Sequence, residues 1–575
     1  MTLPARLAQA DTPARFPRLR ALADGALARI VASYLTADLR SLAAGRIVLA
    51  LVLLLDLGKR WMELSLWYTN DGLVPNHTLL WRPGFTPVFS LFFLASYRYE
   101  AIAGFLACAA AYAMLLVGWR TRFAQVASLI CLLSLHGRML LIDNGGDVVL
   151  GLLTVWTTFL PTGRVFSVDA VLARRPATAW RLRAVPATPA VSAASGVSAT
   201  PSTTADRPGS FASTAADRPG SFASLGVLAV VLQLAFIYFF NAVHKQGTTW
   251  REGSAVHYVL HLDRLVTGLG VWLRGMPTGL ARALSYGTLA VEWSLPALLL
   301  SPFAVRRCRR LAVTLVVTLH TGFGLCLNLG NFVPAMIAYT PNFVHRDDWD
   351  ALARWWSRRP RAVRLARAAA SVVERAATRL TPGRTMRVTG PGPWARVALR
   401  RLSAAREFAV ALLLLVAGSQ LLDENWAAHK VIDHHNSPPI AAAVTYFDLF
   451  QGWSLFAPDA PTSDYNIIVD ATTVEGRRVD PLSEVATPRH PAPGLSIPTA
   501  LGPSWLFYGY ENHLRDQVTW YQALEEWILR YPQRTGRPQD RIVAFRVQMI
   551  EDDSPPLGEE NPRNIRSKVL LQYPH

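Results

Sequence analysis

The sequence predicts an all-α polytopic membrane bundle of about eight to nine spans, followed by a small extracytoplasmic α+β domain. Three observations predict it. Hydrophobic residues make up 51% of the 575-residue chain and charged residues only 17%, whereas a soluble chain carries about 25% charged residues. Apolar runs near the length of a bilayer crossing recur between residues 42 and 422. Beyond residue 423 the pattern changes to shorter, strand-like runs separated by turns. The same composition excludes a wholly disordered chain, a collagen-like repeat and a disulfide scaffold.

Residues 1–40 hold six arginines, three aspartates and no apolar stretch of signal-peptide type. They read as a basic cytoplasmic tail. Candidate spans follow at 42–57, 100–117, 123–142, 148–161, 225–243, 283–303, 311–328 and 408–422, with 332–344 a shorter ninth. Segment 85–96 is too short to cross alone and reads as interfacial or re-entrant. Residues 174–224 are rich in Ala, Pro, Ser and Thr and contain ADRPGSFAS twice, at 205–213 and 216–224. That composition cannot build a core, so the stretch reads as a disordered loop within a transmembrane domain covering 41–345. Segment 346–406 is a basic cytoplasmic insert, 407–422 the last span, and 423–575 a soluble α+β domain. In that domain YNIIVDATTV and RIVAFRVQMI read as strands, and QVTWYQALEEWILRY has helical period.

Arginine placement orients the bundle. Six arginines precede the first span, Arg120 and Arg122 sit in the turn GWRTR, Arg306, Arg307, Arg309 and Arg310 follow the sixth span, and fifteen more lie in 346–406. The stretch DNGGD at 143–147 has no positive charge. The N-terminus is therefore expected in the cytoplasm and residues after 423 outside the inner (plasma) membrane, with 332–344 as a return pass.

The net charge is +18, and 54 of the 58 basic side chains are arginine. The four lysines are Lys59, Lys245, Lys430 and Lys568. Cys108, Cys131, Cys308 and Cys326 have no CxxC spacing and read as reduced thiols. There is no P-loop, dinucleotide fingerprint, HExxH or GxSxG motif. The basic charge is interleaved with the spans, so no nucleic-acid partner is expected. The expected surroundings are the lipid bilayer.

The most informative stretch is IYFFNAVHKQGTTWREGSAVHY at 237–258, where an apolar span ends at Lys245 and then meets Trp250 and Gly253. A lysine there can simply snorkel to the interface. This chain uses arginine for nearly every plain positive charge, however, and a desolvated lysine can lose its proton where arginine cannot. Glu292 and His320 lie mid-span, His136 and Arg138 fall late in the third span, and Arg46 and Asp56 bracket the first. Intramembrane charges often mark function. Their plain reading is structural: Glu292 paired with an arginine, and His320 neutral and hydrogen-bonded. His257 and His261 share a helix face, and His429, His434 and His435 follow the last span. Neither set completes a metal site.

Several segments resemble the horizontally transferred transmembrane domain (HTTM) family, which includes the vitamin K-dependent gamma-glutamyl carboxylases. They are GRIVLALVLLLDLGKRW with WYTNDGLVP, GWRTR, DNGGDVVLGLLTVWTTFLPTGRVFSVD, NAVHKQGTTWREG and LHTGFGLCLNLGNFVPAMIAYTP. The resemblance covers roughly residues 40–345. WSLFAPDAPTSDYNIIVDATTVEGRRVD resembles a C-terminal region of bacterial members. The resemblance implies a reduced quinone as cofactor and Lys245 as the base that deprotonates it. It also implies an Asn-Asn-His stretch, matched here by Asn144, Gly145 and Gly146. Glycine stands where the histidine is expected, so carboxylation of glutamate is not expected. The predicted site is thus Lys245 as catalytic base, with Asn144, Trp250, Glu292 and His320 around the substrate and no metal. The alternative is a non-catalytic scaffold or immunity-type protein whose 423–575 domain binds a protein partner.

Overall fold

The computed structural model describes residues 29–81, 88–173, 220–361, isolated positions from 363 to 375, and then 393–482, 505–559 and 561–574. The tail before residue 29, residues 174–219 of the expected loop and residues 376–392 of the basic insert lie outside the described residues. What is described is mostly helical, with a small sheet toward the C-terminal end.

Strand β1 (Thr36–Asp38) leads into α1 (Leu39–Met62). The Asp38 carboxylate starts that helix by accepting from the Arg40 amide at 2.8 Å, filling a first-turn donor that has no intrahelical partner. Next come α2 (Arg98–Val117), α3 (Thr121–Arg138) and α4 (Gly145–Thr158). Strand β2 (Ser221–Ala223) pairs antiparallel with β1, and the Ser224 hydroxyl caps α5 (Leu225–His244). The loop expected to run to residue 224 therefore ends earlier. Its last residues are fixed by the β1 ladder, by Arg164 and Arg406 over the Phe222 ring, and by Ser224 donating to Glu407 at 2.9 Å. The bundle continues with α6 (Thr278–Leu300), α7 (Val305–Cys326), α8 (Phe332–Tyr339), α9 (Arg346–Ser357) and α10 (Pro393–Glu424). α10 runs unbroken through the boundary expected at residue 407, because 393–406 is basic yet rich in helix-forming Ala, Leu and Arg.

Among the described residues five helices are long and apolar enough to cross a membrane: α1, α2, α5, α6 and residues 397–424 of α10. Three other expected spans fall short of that test for visible reasons. α3 ends in His136 and Arg138, α7 opens on four arginines, and α4 has only 14 residues. At 1.5 Å per residue α4 is about 21 Å long, less than a bilayer core. It is sheltered instead by its neighbours, with every residue from Val149 to Thr157 buried.

Hydrogen bonds sort the helix ends onto two faces. On the first, Arg40 meets Asp350 at 2.8 Å, Ser41 donates to the Val344 carbonyl at 2.6 Å, and Arg306 meets Asp348 at 2.9 Å. Asp169 there accepts from the Arg120 and Thr121 amides. On the second face, Asn331 donates to Asp56 at 2.6 Å and His244 bonds the Trp453 carbonyl at 2.8 Å. Segment 331–344, containing α8, thus leaves the level of Asp56 and arrives at the level of Ser41, which are about 22 Å apart along α1.

The described residues from 425 to 574 sit on the second face. Helix α11 (Pro438–Phe447) precedes a four-stranded antiparallel sheet of order β4-β3-β5-β6: β3 (Ser463–Thr473), β4 (Arg478–Val479), β5 (Ile542–Asp553) and β6 (Arg563–Tyr573). Alternate residues Tyr465, Ile467, Val469 and Ala471 of β3 are buried, as period-two patterning requires. Helices α12 (Trp505–Asp516) and α13 (Tyr521–Leu529) contribute Tyr510, Trp527 and Ile528 to the same core. Strand β6 was not anticipated, since RNIRSKVLLQY opens with exposed polar residues along the sheet edge. This region is no detached appendage. Tyr510 packs edge-on against Trp67 at 5.3 Å, and one apolar core runs through both parts.

Candidate functional site

The C-terminal end of α5 is the centre of the first polar cluster. Lys245 caps the helix, and its ammonium is 2.7 Å from both Glu292 oxygens. The two side chains are 3% and 7% exposed, so this is a buried ion pair. The Nζ also lies 5.0 Å from the centre of the Trp250 ring. Glu292 stands on α6 one turn before Pro296, which has no N–H to give the Glu292 carbonyl. The backbone is therefore weakened where the carboxylate is held.

The segment 449–462 clamps this end of α5. Asn241 accepts from the Leu455 amide at 3.0 Å, and Trp250 donates to the Phe456 carbonyl at 2.7 Å. Asp459 accepts from both the amide and hydroxyl of Thr249. Gly247 is required here, because a Cβ would fall about 2.1 Å from the Asp459 carboxylate. Three residues beyond Lys245 opens a cleft of about 470 Å³ lined by Thr248, Thr249, Glu252, Tyr258, Asp459 and Thr462, among others.

Lys245, Trp250 and Glu292 are thus brought together, and the partner of Glu292 is this lysine instead of the arginine expected. His320 lies deeper. Its Nε2 meets the Tyr238 hydroxyl at 2.8 Å, two turns or about 10 Å before Lys245 along α5. Asn144 is used elsewhere: its Oδ1 caps α4 by accepting from the Gly146 amide, and Asp147 returns the bond to the Asn144 amide. At Gly146 a Cβ would lie 2.2 Å from the Phe332 amide nitrogen, so the histidine implied by resemblance has no room.

A second buried cluster, at the C-terminal end of α1, was only glimpsed in the sequence. Arg60 meets Asp56 at 2.8 Å, Asp147 at 3.1 Å and Asp143 at 3.9 Å. Asn331 donates to Asp56 and Asp147. His136 Nδ1 lies 3.2 Å from Asp448, and its Nε2 is 3.9 Å from Asp147. Asp448 is left-handed at φ 54° and sits on Gly151, where a Cβ would be 2.5 Å from its oxygen. Asp56 and His136 were visible as charges in apolar runs; Asn331 and Asp448 carried no local signal.

The remaining histidines take separate partners. His257 Nε2 bonds the Pro555 carbonyl and His261 Nδ1 the His257 carbonyl. Burial lowers both imidazoles, His261 to about 4. His429 bonds the Asp423 carbonyl, while His434 bonds Ser419. Among the described residues no three acidic, imidazole or thiol groups are placed to hold a metal ion. Arg264, from the segment between α5 and α6, meets Asp464 at 2.7 Å and Glu511 at 3.5 Å in the C-terminal region, and burial pushes Glu511 up to about 7.

The chain matches no family model, no curated protein and no solved structure.

Proposed function

We propose that the chain is an enzyme-like polytopic membrane protein of the HTTM, carboxylase-related class, in which the Lys245–Glu292 pair moves a proton of an apolar quinone-type or lipid substrate. On this reading the bundle makes about nine crossings of the inner membrane. The face bearing Arg40, Arg120, Arg306 and Arg310 is cytoplasmic, and residues 425–575 lie outside. The observation that carries the reading is the burial of Lys245 against Glu292, in a chain that uses arginine almost everywhere else.

The chemistry follows from the pair. Transfer of a proton from Nζ to a Glu292 oxygen, 2.7 Å away, turns two buried charges into a neutral amine and a carboxylic acid. The amine then takes a proton from an acidic substrate hydroxyl, which keeps the electron pair as an oxyanion beside the new ammonium. Trp250 supplies a ring face at the site. Carboxylation is not part of the proposal, because position 146 offers neither a side chain nor space for one.

The closure of the pair favours a second reading: with both Glu292 oxygens taken by Lys245, the contact also suits a non-catalytic scaffold. Lys245→Arg separates the two. Arginine keeps the charge and the partner but does not deprotonate. Expressed at the normal level in a deletion strain, Lys245→Arg is expected to lose the deletion's complementation. Full complementation would leave only the scaffold.

A further inference from the structure

The cluster around Arg60 holds more negative charge than it can balance. Four carboxylates meet there: Asp56 from α1, Asp143 and Asp147 at the start of α4, and Asp448 from the turn after α11. The facing cations are fewer. Arg60 is in direct contact. His136 bridges toward Asp448 and Asp147 and counts as a cation only when protonated. Lys59, one residue from Arg60, reaches the Gly330 carbonyl at 3.3 Å, beside Asn331. Arg138 is turned away, donating to the Val74 carbonyl and to the Met139 sulfur. Tyr68 adds a neutral hydroxyl on Arg60. Among the described residues, even with His136 and Lys59 both charged, carboxylates exceed cations by one.

Buried atoms here also lack partners. Asp56 Oδ2, Asp143 Oδ1, Asn331 Oδ1 and His136 Nε2 make no hydrogen bond to any described residue, although Asp56, Asn331 and His136 are buried almost completely. His136 Nε2 faces Asp147 at 3.9 Å, too far for a hydrogen bond and close enough to feel its charge. A buried charge without compensation is costly and is relieved by taking up a proton or a cation. No three candidate ligands among the described residues are placed for a metal ion. Asp143 and Asp147 both reach the same Arg60 nitrogen, at 3.9 and 3.1 Å. Asp143 is the more open, with a side chain 15% exposed against 1%.

We propose that this cluster is a proton-binding site, in which one proton from solvent enters at Asp143 and is shared between the Asp143 and Asp147 carboxylates, beside a His136 that ties Asp448 to the bundle. The ligand is the proton itself; a hydronium ion gives it to a carboxylate oxygen and leaves water behind. The site is independent of any chemistry at Lys245, and it gives the bundle a titratable centre directly under the C-terminal region.

Infrared difference spectroscopy tests this on the full chain in lipid nanodiscs at neutral pH. Subtracting the Asp143→Asn or Asp147→Asn spectrum from wild type is expected to show one carboxylic-acid carbonyl band, shifted in heavy water. Glu511→Gln serves as a reference, since that carboxyl, up near 7, gives its own band. If Asp147→Asn does not fold, Asp143→Asn decides alone, its side chain lying at the open edge of the cluster. Difference spectra with only carboxylate bands overturn the proposal. So does a carboxylic-acid band abolished by adding sodium at constant pH, which makes the ligand a metal cation.

Discussion

At the end of α5 one ammonium faces one carboxylate, and both oxygens are satisfied at 2.7 Å. At the end of α1 one guanidinium, with His136 and Lys59 nearby, faces four carboxylates. Both clusters are buried, yet they solve different problems. The first is closed and balanced, so it is sensitive to removing one member and tolerant of removing both. The second is open-ended: no apolar double replacement neutralises it, and Arg60 holds three of its members at once.

The largest expected effect tests the unbalanced cluster. Arg60→Met leaves Asp56, Asp143 and Asp147 without their shared partner and is expected to cost more than about 5 kcal/mol, enough to abolish accumulation in the membrane fraction. Arg60→Lys keeps the charge and loses the fork, so an intermediate level is expected on an immunoblot of the same fraction. Equal accumulation of Arg60→Met and wild type would mean that the cluster is solvated.

The balanced pair predicts a different pattern. Lys245→Met alone is expected to destabilise by about 3–5 kcal/mol, because Glu292 is left buried and unpaired. Adding Glu292→Leu is expected to recover most of that loss in denaturation of the detergent-solubilised protein. A double variant no more stable than Lys245→Met would show that the two residues do not act as a pair.

The smallest effect is a contrast between adjacent glycines at the start of α4. Gly145→Ala meets nothing within 4 Å and is expected to be neutral, or stabilising by up to about 1 kcal/mol through helix propensity. Gly146→Ala drives a methyl against the Phe332 backbone and is expected to cost about 1–3 kcal/mol. Thermal melts of the two variants side by side check it; equal melting temperatures would remove the close approach.

Much of the bundle was legible because hydropathy reports lipid contact directly. α1, α2 and α5 begin and end near the expected positions, and α10 ends near its own while beginning well before it. α4 was found by composition at its observed length of 14 residues but placed three residues late, since its first turn, Gly145, Gly146 and Asp147, carries no apolar signal. The strands of 465–474 and 541–550 showed through their alternation, while β6 did not, because an edge strand with an exposed face carries no apolar period. At the site, Lys245, Trp250 and Glu292 were each found singly, but their meeting belongs to the α5–α6 contact and no local pattern encodes it. Asp448 was invisible for the same reason: its neighbour His136 is 312 residues away in sequence.

That separation sets an order of events in biosynthesis. α3 and α4 leave the ribosome with His136 and Asp147 long before Asp448 exists. Until it arrives, the place against Gly151 that its carboxylate occupies stays open to water or lipid headgroups. This end of the bundle is therefore finished last, by a turn from beyond the helices that it completes. A nascent chain halted before residue 438 carries its hydrophobic helices but not the stopper that seals them, and the cell's quality control meets it as an unfinished membrane protein.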